Sequence, residues 1–183
     1  MTVTNRERML PMFRQATLDD LEQIAAIYDH IHTEEEAGRA AIGWDRAIYP
    51  TRQTALDSIQ AGDMFVAEDQ GRIVATAKIN QEQVPVYADA AWTQAAPPDQ
   101  VMVLHTLVVD PQVKGRGYGS RFVAFYEDYA RAHRCPYLRM DTNERNTSAR
   151  ALYRRLGYQE VSVVPCQFNG IPGVNLVCLE KTL

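Results

Sequence analysis

The chain lacks any long apolar run. Nowhere in its 183 residues is there the stretch of about 18 hydrophobic residues that a bilayer crossing needs, so no membrane partner is expected. Cysteine is scarce, three in all, at Cys135, Cys166 and Cys178. They form no C-x-x-C pair, and an odd, widely spaced set argues against a disulfide framework and a zinc site and for a reducing compartment. Cys135 and Cys178 sit beside or within apolar runs, where a thiol behaves as a small hydrophobe. His30 and His32, two apart on a predicted helix, point in different directions and make a poor metal pair. No metal is expected. Positive charge is also in short supply: 19 Lys and Arg stand against 23 Asp and Glu, a formal net charge of -4. That balance disfavours bulk binding to nucleic acid or to an anionic membrane, but leaves room for a local basic pocket. The opening residues, MTVTNRERMLPMF, have neither a long apolar core nor a small-residue cleavage site. No signal peptide is expected, and the chain reads as cytoplasmic. There is no internal repeat and no low-complexity tract.

What is present suits a globular fold. At 46% hydrophobic residues the chain is near the usual ~45–50%. At roughly 150 residues per domain the length predicts one domain over 1–183, with 1–11 as a flexible extension. Met12 to Gln15 reads as a short extended piece. Thr17-Leu-Asp-Asp20 is a capping signature, and Leu21, Ile24, Tyr28 and Ile31 then follow at helical spacing to about Thr33. Glu34, Glu35 and Glu36 read as the solvated tail of that helix. Arg52 to Gln60 predicts a second helix, closed by Gly62. Met64 to Glu68 and Arg72 to Asn80 are β-rich runs joined by a hairpin signal, Asp69-Gln-Gly71. Val84 to Gln100, with Pro85, Pro97 and Pro98, reads as a long surface excursion.

Val101 to Val109 is nearly all apolar, as in a strand buried on both faces. After it, Phe122, Phe125, Tyr126, Tyr129 and His133 mark a helix, and Pro136 to Asp141 a short strand. Ala149, Leu152, Tyr153 and Leu156 mark a last helix, stopped by Gly157. Two final strands, around Tyr158–Val164 and Val174–Lys181, are separated by Asn169-Gly170 and Pro172-Gly173. The fold class is mixed α/β (α+β) with a largely antiparallel sheet.

The most informative stretch is Leu107-Val-Val-Asp-Pro-Gln-Val-Lys-Gly-Arg-Gly-Tyr-Gly-Ser120, a strand, then a glycine-rich turn, then a helix. Gly115, Gly117 and Gly119 let backbone amides approach a ligand, and φ > 0 costs them little. Unpaired N–H groups at a helix N-terminus, with the helix dipole, make an anion site suited to phosphate. Lys114 and Arg116 add positive charge. No Gly-Lys-Ser/Thr ends the glycine run, so it is not the nucleotide P-loop.

Order along the chain adds to this. A helix and a strand follow, then Asp141-Thr-Asn-Glu-Arg-Asn-Thr-Ser-Ala-Arg-Ala-Leu-Tyr-Arg-Arg-Leu-Gly-Tyr158. Together these segments resemble the GNAT superfamily of acyl-CoA-dependent N-acetyltransferases. Lys114-Gly-Arg-Gly-Tyr-Gly119 is similar to its Arg/Gln-x-x-Gly-x-Gly/Ala motif, with Lys in first place; Gln112-Val-Lys-Gly-Arg-Gly117 fits it two residues earlier. Asn146, Ala149, Tyr153, Gly157 and Tyr158 match its N-x-x-A-x-x-x-Y…G-F/Y pattern.

The resemblance implies a central sheet flanked by helices and splayed at the cofactor site, and acetyl-CoA as acyl donor. It implies that Leu107, Val108 and Val109 offer main-chain groups to the pantetheine arm. The amides from Gly115 to Ser120, with Tyr118 and Gly119 among them, and Asn146 would hold the rest of the donor, although an Asn before a helix is also an N-cap. Tyr153 is implied as the general acid that protonates the departing thiolate.

His105, placed by strand alternation on the face of Leu107 and Val109, is the candidate base, directly or through water. A hydrogen-bonded core histidine is the competing view. Trp44, Tyr49 and Tyr87 are candidate walls of the acceptor site. The expected reaction moves an acetyl group from acetyl-CoA to a primary amine of a small molecule or peptide, in a monomer or homodimer. The alternatives are another acyl-CoA donor, or a CoA-binding sensor without turnover.

Overall fold

Short amphipathic segments separated by glycine and proline signals fold as seven strands and four α-helices over residues 10–183, the part described by the computed structural model. Residues 1–9, most of the expected flexible extension, lie outside the described residues. The strands are β1 (Met12–Gln15), β2 (Met64–Asp69), β3 (Arg72–Asn80), β4 (Val101–Val109), β5 (Tyr137–Asn143), β6 (Gln159–Phe168) and β7 (Ile171–Thr182). The helices are α1 (Leu21–Glu36), α2 (Arg52–Gln60), α3 (Tyr118–Ala132) and α4 (Thr147–Arg155).

They form one sheet in the order β1-β2-β3-β4-β5-β7-β6. Its pairs are antiparallel except β4 with β5. One face packs on α3, where Phe122 and Tyr126 are wholly buried with Leu138, Met140 and Leu179. Burial of each such side chain contributes roughly 1.5–3 kcal/mol. The Tyr126 hydroxyl donates to the carbonyl oxygen of Met102 at 2.7 Å, so its polar end is satisfied. On the other face α1 and α2 bring Ile24, Ile27, Tyr28 and Ala55 against Val66, Ile73 and Val108.

The structure departs from the sequence expectations in five places, the last of them a bulge in β4. First, α1 continues through Glu34, Glu35 and Glu36, and those carboxylates organise the loop that follows instead of forming a solvated tail. Glu35 accepts from the backbone N–H groups of Ile42 and Gly43 at 2.6 and 3.0 Å, while Glu34 pairs with Arg39 and Glu36 with Arg46. Second, residues 84–100 are pinned to the sheet. Arg139 lies 4.3 Å over the Trp92 ring and donates to the Gln94 carbonyl oxygen, and Tyr87 is buried against Val101, Val103 and Cys178.

Third, β6 and β7 extend to an Asn169-Gly170 turn. Pro165 is tolerated because β6 is an edge strand. Fourth, β4 is fully buried only as far as Leu104. Beyond that point its ladder with β5 ends, the last pair being Leu104 with Met140, and the two strands part.

A β-bulge lies at the same place. The β3–β4 register passes from Thr76–Val108 to Lys78–His105, so two residues of β4 oppose one of β3. Thr106 takes the strain at φ +54. An extra residue reverses the alternation. Leu107 and Val109 therefore pack on the α3 face, while His105 turns to the opposite face. The expectation that all three share a face is corrected by this bulge.

Candidate active site

Where β4 and β5 part, a cleft of about 430 Å³ opens. Thr106, Leu107, Val108 and Val109 form one wall, and Asp141, Thr142 and Asn143 the other. α4 adds Asn146, Ala149, Leu152 and Tyr153 to the lining, and the glycine turn adds Lys114, Gly115, Gly117, Tyr118 and Gly119. Arg116 and Ser120 do not line it. Of the two possible motif registers, the geometry favours the one beginning at Lys114. The Gln112 side chain is taken up elsewhere, accepting from Arg72 at 3.0 Å and meeting His30 at 3.1 Å.

The turn is set by backbone conformation. Gly115 and Gly117 have φ of +82 and +77, and a Cβ on either would meet nothing within 4 Å, so the space around them is open to a ligand. Gly119 is different: it lies within α3, and its Cβ would come 3.3 Å from Leu152 Cδ2 and 3.7 Å from Val109 Cγ2. Its smallness lets α3 approach α4 and β4. Gly117 caps α3 without a side-chain hydrogen bond, so the first-turn amides carry the positive end of the helix dipole uncapped. Buried Asp110 anchors the turn by accepting from Arg72 at 2.5 Å and from the Gln112 N–H at 3.0 Å, with His30 at 3.0 Å. These features fit an anionic, phosphate-bearing donor.

Asn146 serves as N-cap of α4, its side chain accepting from the Ala149 N–H at 3.1 Å, and lines the cleft as well. Tyr153 is 7% exposed, and burial raises its phenol, so the hydroxyl stays protonated through the physiological range.

A second cavity of about 140 Å³ adjoins the first and shares Thr106, Asp141 and Phe168 with it. His105 lines this second space. Its Nε2 lies 2.8 Å from Asn80 Oδ1, and burial, aided by Lys78, pushes its pKa down to about 4. It is a neutral ring at pH 7. The candidate acceptor walls separate. Trp44 lines the first cavity and Tyr49 the second, their rings meeting edge to face at 6.0 Å, with Phe168 against Tyr49 at 5.9 Å. Tyr87 lines neither; it donates to Asp141 Oδ2 at 2.7 Å from behind.

Sequence reasoning passed over two residues. Asp141, at the junction, has a pKa that burial raises to about 6, opposed by the Tyr87 hydrogen bond. The available signal was a carboxylate ending an apolar strand. Phe168 is carried in by the long β6–β7 hairpin, for which the Asn169-Gly170 turn was the signal. Among the described residues no cluster of metal-ligating side chains occurs, and no helix is long and apolar enough to cross a membrane.

Comparison with known proteins follows the same lines. The family model described as Acetyltransferase (GNAT) family matches residues 22–158. An uncharacterized N-acetyltransferase of Methanocaldococcus jannaschii is 26% identical over 157 residues, which is 82% of this chain and 62% of that protein. This chain thus spans less than two thirds of that relative's length. The N-alpha-acetyltransferase RimI of Mycobacterium tuberculosis is 39% identical over 77 residues, 42% of this chain and 46% of that one.

Among solved structures, a GNAT family acetyltransferase of Streptococcus agalactiae matches with a TM-score of 0.79 at 23% identity, covering 94% of this chain and 95% of its own. A putative acetyltransferase from Salmonella typhimurium, solved with its cofactor acetyl-CoA, matches at 0.68 and 19%, covering 94% of each chain. Both share the fold.

Proposed function

The chain belongs to the GNAT acetyltransferase family, and from that premise we propose that it transfers an acetyl group from acetyl-CoA directly to a primary amine. The observation that carries this reading is the cleft itself. Parted strands expose the β4 main chain, and an uncapped helix N-terminus with open glycines and a buried tyrosine line the same space. Acetyl-CoA supplies an activated thioester. The amides around Gly115 and Gly117, with Lys114, hold its phosphates. The backbone from Leu107 to Val109 holds its extended arm as an added strand would be held.

The acceptor must react as a free amine, so its ammonium first gives up one proton, to Asp141 at the junction of the two cavities and from there to water. As the nitrogen bonds to the carbonyl carbon and the C–S bond breaks, the Tyr153 hydroxyl donates its proton to the leaving sulfur. The nitrogen's surplus proton then restores that hydroxyl, and the account of protons closes. His105, neutral and bonded to Asn80, serves as a relay beside this path; a ring that titrates near 4 holds a proton poorly at pH 7.

The test is acceptor-dependent thiol release from acetyl-CoA over a panel of primary amines. Tyr153→Phe keeps the packing and is expected to lower kcat about 10²-fold or more with the acetyl-CoA KM unchanged. Unaltered turnover in that variant removes Tyr153 from the proton path. Binding of acetyl-CoA with no release on any amine points instead to a sensor.

A further inference from the structure

The second cavity holds about 140 Å³, and a space of roughly 150 Å³ admits a benzene-sized guest. Its floor follows from strand register. Lys78 of β3 lies opposite His105 of β4. The β4–β5 ladder stops at Leu104 and Met140, so His105 and Asp141 come next on either side of the opening. All three line the cavity, giving a row of ammonium, neutral imidazole and carboxyl.

Tyr28 of α1 lines the same space. It is 2% exposed, and its hydroxyl has no hydrogen-bond partner among the described residues. Such a group costs stability unless a ligand satisfies it. The neighbouring hydroxyls are engaged: Tyr49 with Thr106, and Ser58 with the Thr54 carbonyl oxygen at 2.9 Å. Donors on this side include the Tyr28 O–H and the Lys78 N–H groups not spent on Glu82, a carboxylate that also lines the cavity, 3.1 Å from the ammonium. At the other end Asp141 spends one oxygen on Tyr87 and keeps the second for a ligand.

Resting on the acetyl-transfer reading above, we propose that this cavity seats a free amino acid as acceptor, its ammonium on Asp141 and its carboxylate on Lys78 and the Tyr28 hydroxyl. Asp141 takes the first proton of the ammonium, and the freed nitrogen stands where the two cavities join. The unpaired Tyr28 hydroxyl sets the far end of the guest.

Purified protein with acetyl-CoA is offered free amino acids, each matched to the amine lacking its carboxylate and to a short peptide beginning with the same residue, and thiol release is followed. At least one amino acid is expected to exceed both matched compounds by about tenfold or more in kcat/KM, since the partners of its carboxylate are otherwise left unpaired. Tyr28→Phe and Lys78→Met are each expected to raise the KM of that amino acid about three- to tenfold, with the acetyl-CoA KM unchanged. Tyr28→Phe also raises the Tm of the free protein, because it deletes a buried hydroxyl that has no partner there. Amines or peptides used as well as amino acids, no turnover of any class, an acceptor KM indifferent to both variants, or a Tm lowered by Tyr28→Phe would each overturn the amino acid pocket. Calorimetry on the wild-type protein keeps the two claims apart: failure to bind acetyl-CoA overturns the acetyl-transfer reading itself.

Discussion

The donor cleft and the second cavity meet at Thr106, Asp141 and Phe168, yet they are built on opposite plans. The cleft uses backbone. A run from Thr106 to Gly119 and another from Asp141 to Tyr153 supply most of its wall, and glycine conformation shapes the turn that borders it. The cavity uses side chains. Tyr28 comes from α1, Ser58 from α2, Lys78 from β3, His105 from β4, Asp141 from β5 and Phe168 from β6. Backbone recognition of a constant donor needs little more than a turn and a helix end. Selection among acceptors needs groups of chosen charge set opposite one another, and only packing does that.

Three substitutions would break or sharpen this contrast. The largest effect is expected at the junction. Asp141→Asn should lower the rate at neutral pH about 10²-fold or more. In the unaltered protein the rate should fall as pH drops through about 6, as the Asp141 carboxylate takes up a proton. An acid limb near 4 would point to His105 instead. The titratable groups facing Asp141 do not blur this limb. Tyr49, Tyr87 and Tyr153, with Cys166 and Cys178, are all raised by burial and stay neutral there.

The same carboxyl has a stability consequence of the opposite sign to a salt-bridged aspartate. Its folded pKa of about 6 lies above the ordinary 3.8, so the native state binds the extra proton, and stability is lost as pH rises from about 4 to 6. Asp141→Asn should therefore stabilise the fold by up to about 3 kcal/mol at pH 7.5 and hardly at all at pH 4. Denaturant melts at the two pH values check this.

A middle effect belongs to the cleft alone. Gly117→Ala places a Cβ at φ +77 and should cost about 1–2 kcal/mol. Its KM for acetyl-CoA should rise while the acceptor KM stays put. A change in both constants would mean that the two spaces are not separable. The smallest effect tests the loop that roofs both. Glu35→Gln weakens the hydrogen bonds to the Ile42 and Gly43 amides, worth about 1 kcal/mol. Because Trp44 lines one space and Tyr49 the other, both constants should shift, each by less than about fivefold. A shift in one alone would assign the loop to that side.

Legibility in the sequence followed the same division. The turn at Gly115 and Gly117, the Asn146 cap and Tyr153 lie in local patterns, and the structure brings them around one cleft. Tyr28 also lay in a readable pattern, and the structure buries it in the core as that pattern implies. At helical spacing with Ile24 and Ile31 it is a core residue, and nothing local reveals that its hydroxyl goes unpaired. His105 was assigned its face by alternation, and the bulge at Thr106 reversed that face. The Tyr87 ring, a candidate substrate wall by sequence, holds Asp141 from behind.

By itself the sequence determined the element order, the mostly antiparallel sheet, the family resemblance and the glycine turn before α3. Those rest on short-range constraints: hydrophobic period, capping residues and glycine conformation act over a few neighbours. Tertiary structure alone decided where β4 and β5 part, which way His105 faces and which groups share a cavity with Asp141. Register, bulges and the burial of a carboxyl or a hydroxyl depend on segments more than a hundred residues apart, from Tyr28 to Phe168, and on the water excluded when they close together.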